Sequence, residues 1–293
     1  MTELVHEFTS TLPAPPERVF AALTDAAQLR AWFAEYAEVE PRVGGAYRFW
    51  GRHSYATPAR GDANQTLTAF EPSTKLAYRW PFGGDDSEVT LALSPKDGEA
   101  GQTVLMGRHA FARAPAVVRA KEMVDDLWRL IGANLTAYLT GGAPALLPDF
   151  GDPKPEIRLS IVIDAPRERV FRALLDPALM DRWLYGKARV DARVGGAISY
   201  GWHYKIGERE VDGGPTRILE LVENEKLVTD WPDWRGDPEV PSTTVTWLLA
   251  DEDGRTRLTL IHGTFPRAAD FSDYPLGWQG FFEGLRTVAE DRA

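Results

Sequence analysis

One segment occurs twice in this chain, and the repeat limits what the chain can fold into. Residues 14–49 read APPERVFAALTDAAQLRAWFAEYAEVEPRVGGAYRF, and residues 165–200 read APRERVFRALLDPALMDRWLYGKARVDARVGGAISY. They align without a gap at an offset of 151, and 18 of the 36 positions are identical. Unrelated sequences of ordinary composition match at about one position in sixteen. The same offset relates Lys75-Leu76 to Lys226-Leu227 and Trp80-Pro81 to Trp231-Pro232. A period this long duplicates a domain, whereas solenoids repeat every 20–50 residues or so. The spacing predicts a first domain over 1–142, a Pro/Gly-rich linker over 143–156 and a second domain over 157–293.

Within each copy the pattern predicts an order of elements. Leu4, His6, Phe8 and Ser10, and more cleanly Ile157, Leu159, Ile161 and Ile163, alternate as a strand does. Val19, Phe20 and Leu23, with their partners Val170, Phe171 and Leu174, follow helical spacing after a Pro suited to a first turn. Asp25 and Asp176 are placed to cap a second short helix, which carries Trp32 or Trp183. Gly44-Gly45 and Gly195-Gly196 mark a turn that needs positive φ. Further alternating runs predict the remaining strands, with Asp97-Gly98 and Asp253-Gly254 as hairpin turns. Val104, Met106 and Arg108 read as the inner face of the last strand, matched by Leu258, Leu260 and His262. A closing helix is predicted from about Ala116 to Leu139, with a second one carrying Trp278, Phe281, Phe282, Leu285 and Val288 on one stripe. Gly277, Gly280 and Gly284 inside that helix point to close packing or a bend.

Strand, two short helices, six strands and one long helix per copy make an α+β fold. An antiparallel sheet of this size must cover one face, and the long helix is the element able to do so. The expected result is a curved sheet around a C-terminal helix, with an apolar space between them.

Composition narrows the function classes. The chain has no Cys, which excludes disulfides and thiolate metal sites. Its five His residues show no HxH, HxxxH or HExxH spacing, so neither a metal nor another cofactor is expected. A net charge of −10 without a basic stripe argues against nucleic acid. No apolar run reaches membrane-spanning length, and MTELVHEFTS lacks a signal-peptide pattern, so the cytoplasm is the expected compartment. No GxSxG motif and no phosphate-binding glycine loop before a helix are present.

The residues APPERVFAALTDAAQLRAWF, PRVGGAYRFW and KLAYRWPF, their second-copy counterparts and a Trp-bearing last helix carry a resemblance. The chain resembles the START-like or Bet v 1-like helix-grip superfamily (SRPBCC). More narrowly it is similar to the branch related to the C-terminal domain of the Hsp90 ATPase activator. The resemblance covers nearly everything outside the linker and implies the fold above. It also implies an apolar small molecule as partner, bound between sheet and helix. Alternatives it leaves open are a cyclase or dehydratase activity using cavity Tyr, His or Arg groups, and a chaperone-associated interaction role.

The residues expected to face that space are Trp32, Tyr47, Phe49, Tyr78, Trp80, Arg108 and Trp128 in the first copy. In the second they are Trp183, Tyr200, Trp202, Trp231, Trp247, His262 and Trp278. Most of the aromatic ones are expected to be core, and His262 a hydrogen-bonded rim residue. The Arg108/His262 difference predicts that the copies bind different things. The two domains are expected to pack on each other within a monomer.

Overall fold

The computed structural model describes residues 3–116, 119–144, 146–271 and 273–291. The chain divides into two compact units. One comprises residues 1–153 with 267–276, and the other 154–266 with 277–293.

Unit 1 opens with strand β1 (Leu4–Leu12), followed by helices α1 (Pro16–Thr24) and α2 (Ala26–Trp32). Strands β2 (Tyr36–Val39) to β7 (Thr103–Phe111) come next, then helix α3 (Ala120–Leu139). The intervening strands are β3 (Tyr47–Trp50), β4 (Thr66–Glu71), β5 (Lys75–Phe82) and β6 (Asp85–Pro95). Five of them form an antiparallel sheet in the order β1-β7-β6-β5-β4, and β2 pairs with β3. A bridge between Ala46 and Thr66 joins the β2–β3 ribbon to the edge of that sheet. The helix predicted from Ala116 begins at Ala120; positions 117 and 118 lie outside the described residues.

Unit 2 repeats the plan with β8 (Ile157–Ile163), α4 (Arg167–Leu175), α5 (Pro177–Leu184), β9 (Arg189–Val190) and β10 (Ile198–Ser199). It then departs by forming a hairpin of β11 (Trp202–Ile206) and β12 (Arg209–Gly213), where unit 1 has an irregular loop. Strands β13 (Ile218–Val222), β14 (Lys226–Trp231), β15 (Thr243–Glu252) and β16 (Arg255–Gly263) follow, and helix α6 (Tyr274–Glu290) closes the chain. The sheet order is β13-β14-β15-β16-β8. A register shift recurs at Leu67/Ala69 and at Ile218/Glu220, bending both sheets at the same place.

The repeated residues have repeated jobs. Asp25 accepts from the Gln28 N–H at 2.9 Å, and Asp176 from the Ala178 N–H at 3.0 Å, so each begins the second short helix. Asp176→Ala is expected to lower the stability of unit 2 by about 1 kcal/mol in urea unfolding, the usual worth of such a cap. Trp32 and Trp183 are 1% exposed, and their indole N–H groups donate to Ala22 and Ala173 carbonyls. They lock the second helix to the first. Gly284 lets α6 approach α5: a Cβ there would lie 3.2 Å from the Trp183 Cβ.

The two glycines of the shared turn act differently. Gly44 and Gly195 have φ of +76° and +79°, as expected. Gly45 and Gly196 are not in that region; they are needed because a Cβ would meet backbone carbonyls. Asp253-Gly254 is a tight turn with both residues at positive φ, whereas Asp97-Gly98 belongs to a longer loop between β6 and β7.

Candidate functional site

The inner face of the last strand differs from the sequence expectation by one residue. Thr103, Leu105, His109 and Phe111 are the buried positions of β7, with Gly107 between them. Arg108 points outward, about half exposed, 3.5 Å from Glu7 and 3.8 Å from Glu3. The counterpart of His262 is therefore His109. The offset of 151 holds at Tyr78 and Thr229, becomes 156 at their partners Val89 and Val245, and 153 at His109 and His262. Loops of unequal length on either side of β6 and β15 cause the slip, and a one-residue slip exchanges the faces of a strand. The inferred difference between the copies at this position disappears.

Each unit instead carries the same buried relay. In unit 1 the Trp128 indole N–H donates to His109 Nδ1 at 3.1 Å. An indole nitrogen can only donate, so Nδ1 holds the lone pair and Nε2 holds the proton. Nε2 lies 2.7 Å from Ser87 Oγ, which donates onward to the Trp80 carbonyl at 2.6 Å. In unit 2, Trp278 donates to His262 Nδ1 at 3.2 Å. Thr243 Oγ1 lies 2.7 Å from His262 Nε2 and 3.1 Å from the Trp231 carbonyl it donates to. Both imidazoles are fully enclosed, and burial pushes each pKa down to about 3, the His6 charge adding to the effect at His109.

This geometry settles what the relay can do. A general base needs a lone pair facing the hydroxyl it activates. Here each imidazole presents a proton to the hydroxyl, and each hydroxyl proton is committed to a carbonyl. The Ser87–His109 and Thr243–His262 pairs tie neighbouring strands of each sheet, and the Trp128–His109 and Trp278–His262 bonds fasten each closing helix to its sheet.

The remaining candidate residues gather into two aromatic clusters. In unit 1, Tyr47, Phe49, Tyr78, Trp80 and Trp128 are at most 6% exposed. Tyr47 and Tyr78 pack with centroids 4.6 Å apart, Phe49 and Trp80 at 5.1 Å, and Trp80 stacks flat on His109 at 5.3 Å. Burial raises the phenol pKa of Tyr47, Tyr78 and Tyr200. The Tyr47 hydroxyl is used up on the Leu23 carbonyl at 2.7 Å. In unit 2, Tyr200, Trp231, Trp247 and Trp278 are at most 3% exposed. Trp202 is half-buried, donates to the Leu184 carbonyl and stacks on Phe281 at 5.0 Å. A hollow large enough for water would leave exposed surface on its walls, and Phe49, Trp247 and His262 have none. Around Phe49, Trp247 and His262, where an apolar hollow was expected, side chains fill the space rather than line it.

An open groove runs along β1 and α3 past Trp128, and a smaller recess lies at the end of the grip formed by β5, α3 and the 51–57 loop. Tyr55, Phe82, Met123, Leu127 and Leu130, with the buried Asp126, wall this recess, whose remaining void is about 20 Å³. That holds one water. Pro148 and Phe150 of the linker close it, together with Ala268, Ala269 and Phe271. The latter segment is tied to α3 by Arg129 and Asp273, 2.8 Å apart. None of the recess residues was among the expected site residues. Two signals for the recess stand in the sequence: Tyr55, clustered with Arg52 and His53 at a strand end, and the apolar trio Leu146, Leu147 and Phe150 in an otherwise Pro/Gly-rich linker.

Among the described residues no group of three His, Asp or Glu side chains is placed to hold a metal. No helix among them is long and apolar enough to cross a membrane.

No curated protein sequence matches the chain. Among solved structures, DynU16, a protein from the dynemicin biosynthetic locus, is 19% identical with a TM-score of 0.40, covering 98% of this chain and 94% of its own. The Aha1 dimer from Colwellia psychrerythraea is 20% identical with a TM-score of 0.37, covering 46% of this chain and 96% of its own. CalU16 from Micromonospora echinospora is 22% identical, also at 0.37, covering 46% and 76%. The family model described as activator of Hsp90 ATPase homolog 1-like protein matches twice, over residues 13–140 and 164–290. The chain belongs to that family and carries two consecutive copies of its domain.

Proposed function

We propose that unit 1 binds an apolar or aromatic small molecule at the recess between β5 and α3. One observation carries this reading. The walls of the recess belong to β5, α3 and the 51–57 loop, whereas the side chains that close it come from later segments, the linker and residues 268–271. Ligand pockets are largely apolar and about 300–1,000 Å³ in volume. The recess has such a lining, apolar but for Asp126, and acquires the volume when its closing side chains move. An enzymatic reading through the interior histidines gains no support, because both are spent on the relay.

Thermal unfolding in the presence of ring-sized apolar compounds tests the proposal. A compound at about a hundred times its Kd stabilises by about 2.7 kcal/mol, which raises the melting temperature by roughly 5–10 °C for a domain of this size. Leu127→Trp, whose added bulk exceeds the remaining void, is expected to abolish that shift, read against the variant's own unliganded melt. A shift that survives Leu127→Trp undiminished would place the ligand elsewhere.

A further inference from the structure

The linker is held across the recess in a way that permits release. The Phe150 N–H donates to the Arg52 carbonyl at 2.9 Å, and His53 Nδ1 donates to the Pro148 carbonyl at 2.9 Å. Asn134 on α3 donates to the Leu146 carbonyl at 2.8 Å. These three hydrogen bonds seat residues 146–150. The Phe150 ring then lies edge-on to Tyr55, with centroids 5.6 Å apart, and Tyr55 stacks on Phe82 at 4.6 Å. The ring is half-buried, unlike the enclosed aromatics of the core. Flanking the strap, Gly141 at φ +79° ends α3, and Gly151, Pro153 and Pro155 follow Phe150. Such composition bends without disturbing regular structure.

We infer that residues 146–150 are a tethered plug, in which the Phe150 ring occupies the place of the ligand and swings out when a ligand enters. This rests on the ligand-binding reading of the recess given above. The plug is covalently attached, so it competes at a fixed local concentration that dilution does not lower. The apparent affinity for any ligand is reduced by the fraction of molecules in which the plug is out. The molecules this selects are flat, uncharged rings able to replace a phenyl group against Tyr55 and Phe82.

The test uses the full chain and the neutral fluorophore N-phenylnaphthylamine, titrated by emission. Phe150→Ala is expected to bind it about tenfold or more tighter than the parent, because an open state populated at a few per cent is no longer a requirement. A second variant keeps the ring and fixes the strap. The chain has no Cys of its own, so His53→Cys with Pro148→Cys introduces a single crosslink across the strap contact. Oxidised, it is expected to bind at least about tenfold more weakly than the same protein reduced. Equal affinity in the parent and Phe150→Ala, or in the oxidised and reduced forms, overturns the plug and leaves the ligand reading standing. Binding by none of these proteins overturns both. Should Phe150→Ala fail to fold, the crosslinked pair decides alone.

Discussion

Gly196→Ala is expected to cost unit 2 about 3 kcal/mol or more, the upper range for forcing atoms into filled space. A Cβ at Gly196 would lie 2.0 Å from the Asp191 carbonyl oxygen and 2.9 Å from that of Arg193. Neither can retreat. The Asp191 oxygen accepts from the Arg193 N–H at 2.7 Å, and the Arg193 oxygen from the Gly196 N–H at 2.8 Å. The adjacent Gly195 is the control. Its φ of +79° is unfavourable for alanine, but nothing lies within 4 Å of an added Cβ. Gly195→Ala therefore costs only the left-handed penalty of about 1–2 kcal/mol. Urea unfolding of the two variants checks the ranking; equal losses would show that the turn around Gly196 yields to an added methyl group and that contact is not what the second glycine serves.

Both units are expected to lose stability as the pH falls below 6.5, through His109 and His262. Each imidazole is held neutral in the fold with its pKa lowered from 6.5 to about 3, in both cases chiefly by burial. Between those values the unfolded chain binds a proton that the folded one does not. Stability therefore rises with pH through this window. The contribution is fully present above 6.5 and declines by roughly 1.4 kcal/mol per pH unit below it. At pH 5 that amounts to about 2 kcal/mol in each unit. Calorimetric melts at pH 7 and pH 5 measure it. An unchanged transition would mean that the relay accepts a proton without breaking, contrary to the donor arrangement that Trp128 and Trp278 impose.

Much of this architecture was legible in the residues. The ungapped repeat gave the duplication, and Asp25, Asp176 and the double glycines marked helix starts and turns that the structure reproduces. The misreading of Arg108 shows where such reading stops. Alternation identifies two faces of a strand but not which one is inside, and only the paired loops around β6 and β15 reset the count. The filled interior was hidden for another reason. Inward positions such as Phe49, Trp80 and Trp247 can be named from their spacing, whereas the volume they must fill depends on how sharply the sheet bends. The recess was least legible, because its walls and closure come from β5, α3, the 51–57 loop, the linker and residues 268–271. No local pattern joins segments so far apart in the chain.

The membership of residues 267–276 in unit 1 bears on how the protein is made. Synthesis runs from the N-terminus, so the first repeat emerges from the ribosome long before this late stretch has been translated. Until then Arg129 has no Asp273 to meet, and the recess lacks Phe271 on one side. The nascent first repeat must wait, incomplete and with greasy side chains uncovered, until the strands of the second have been made.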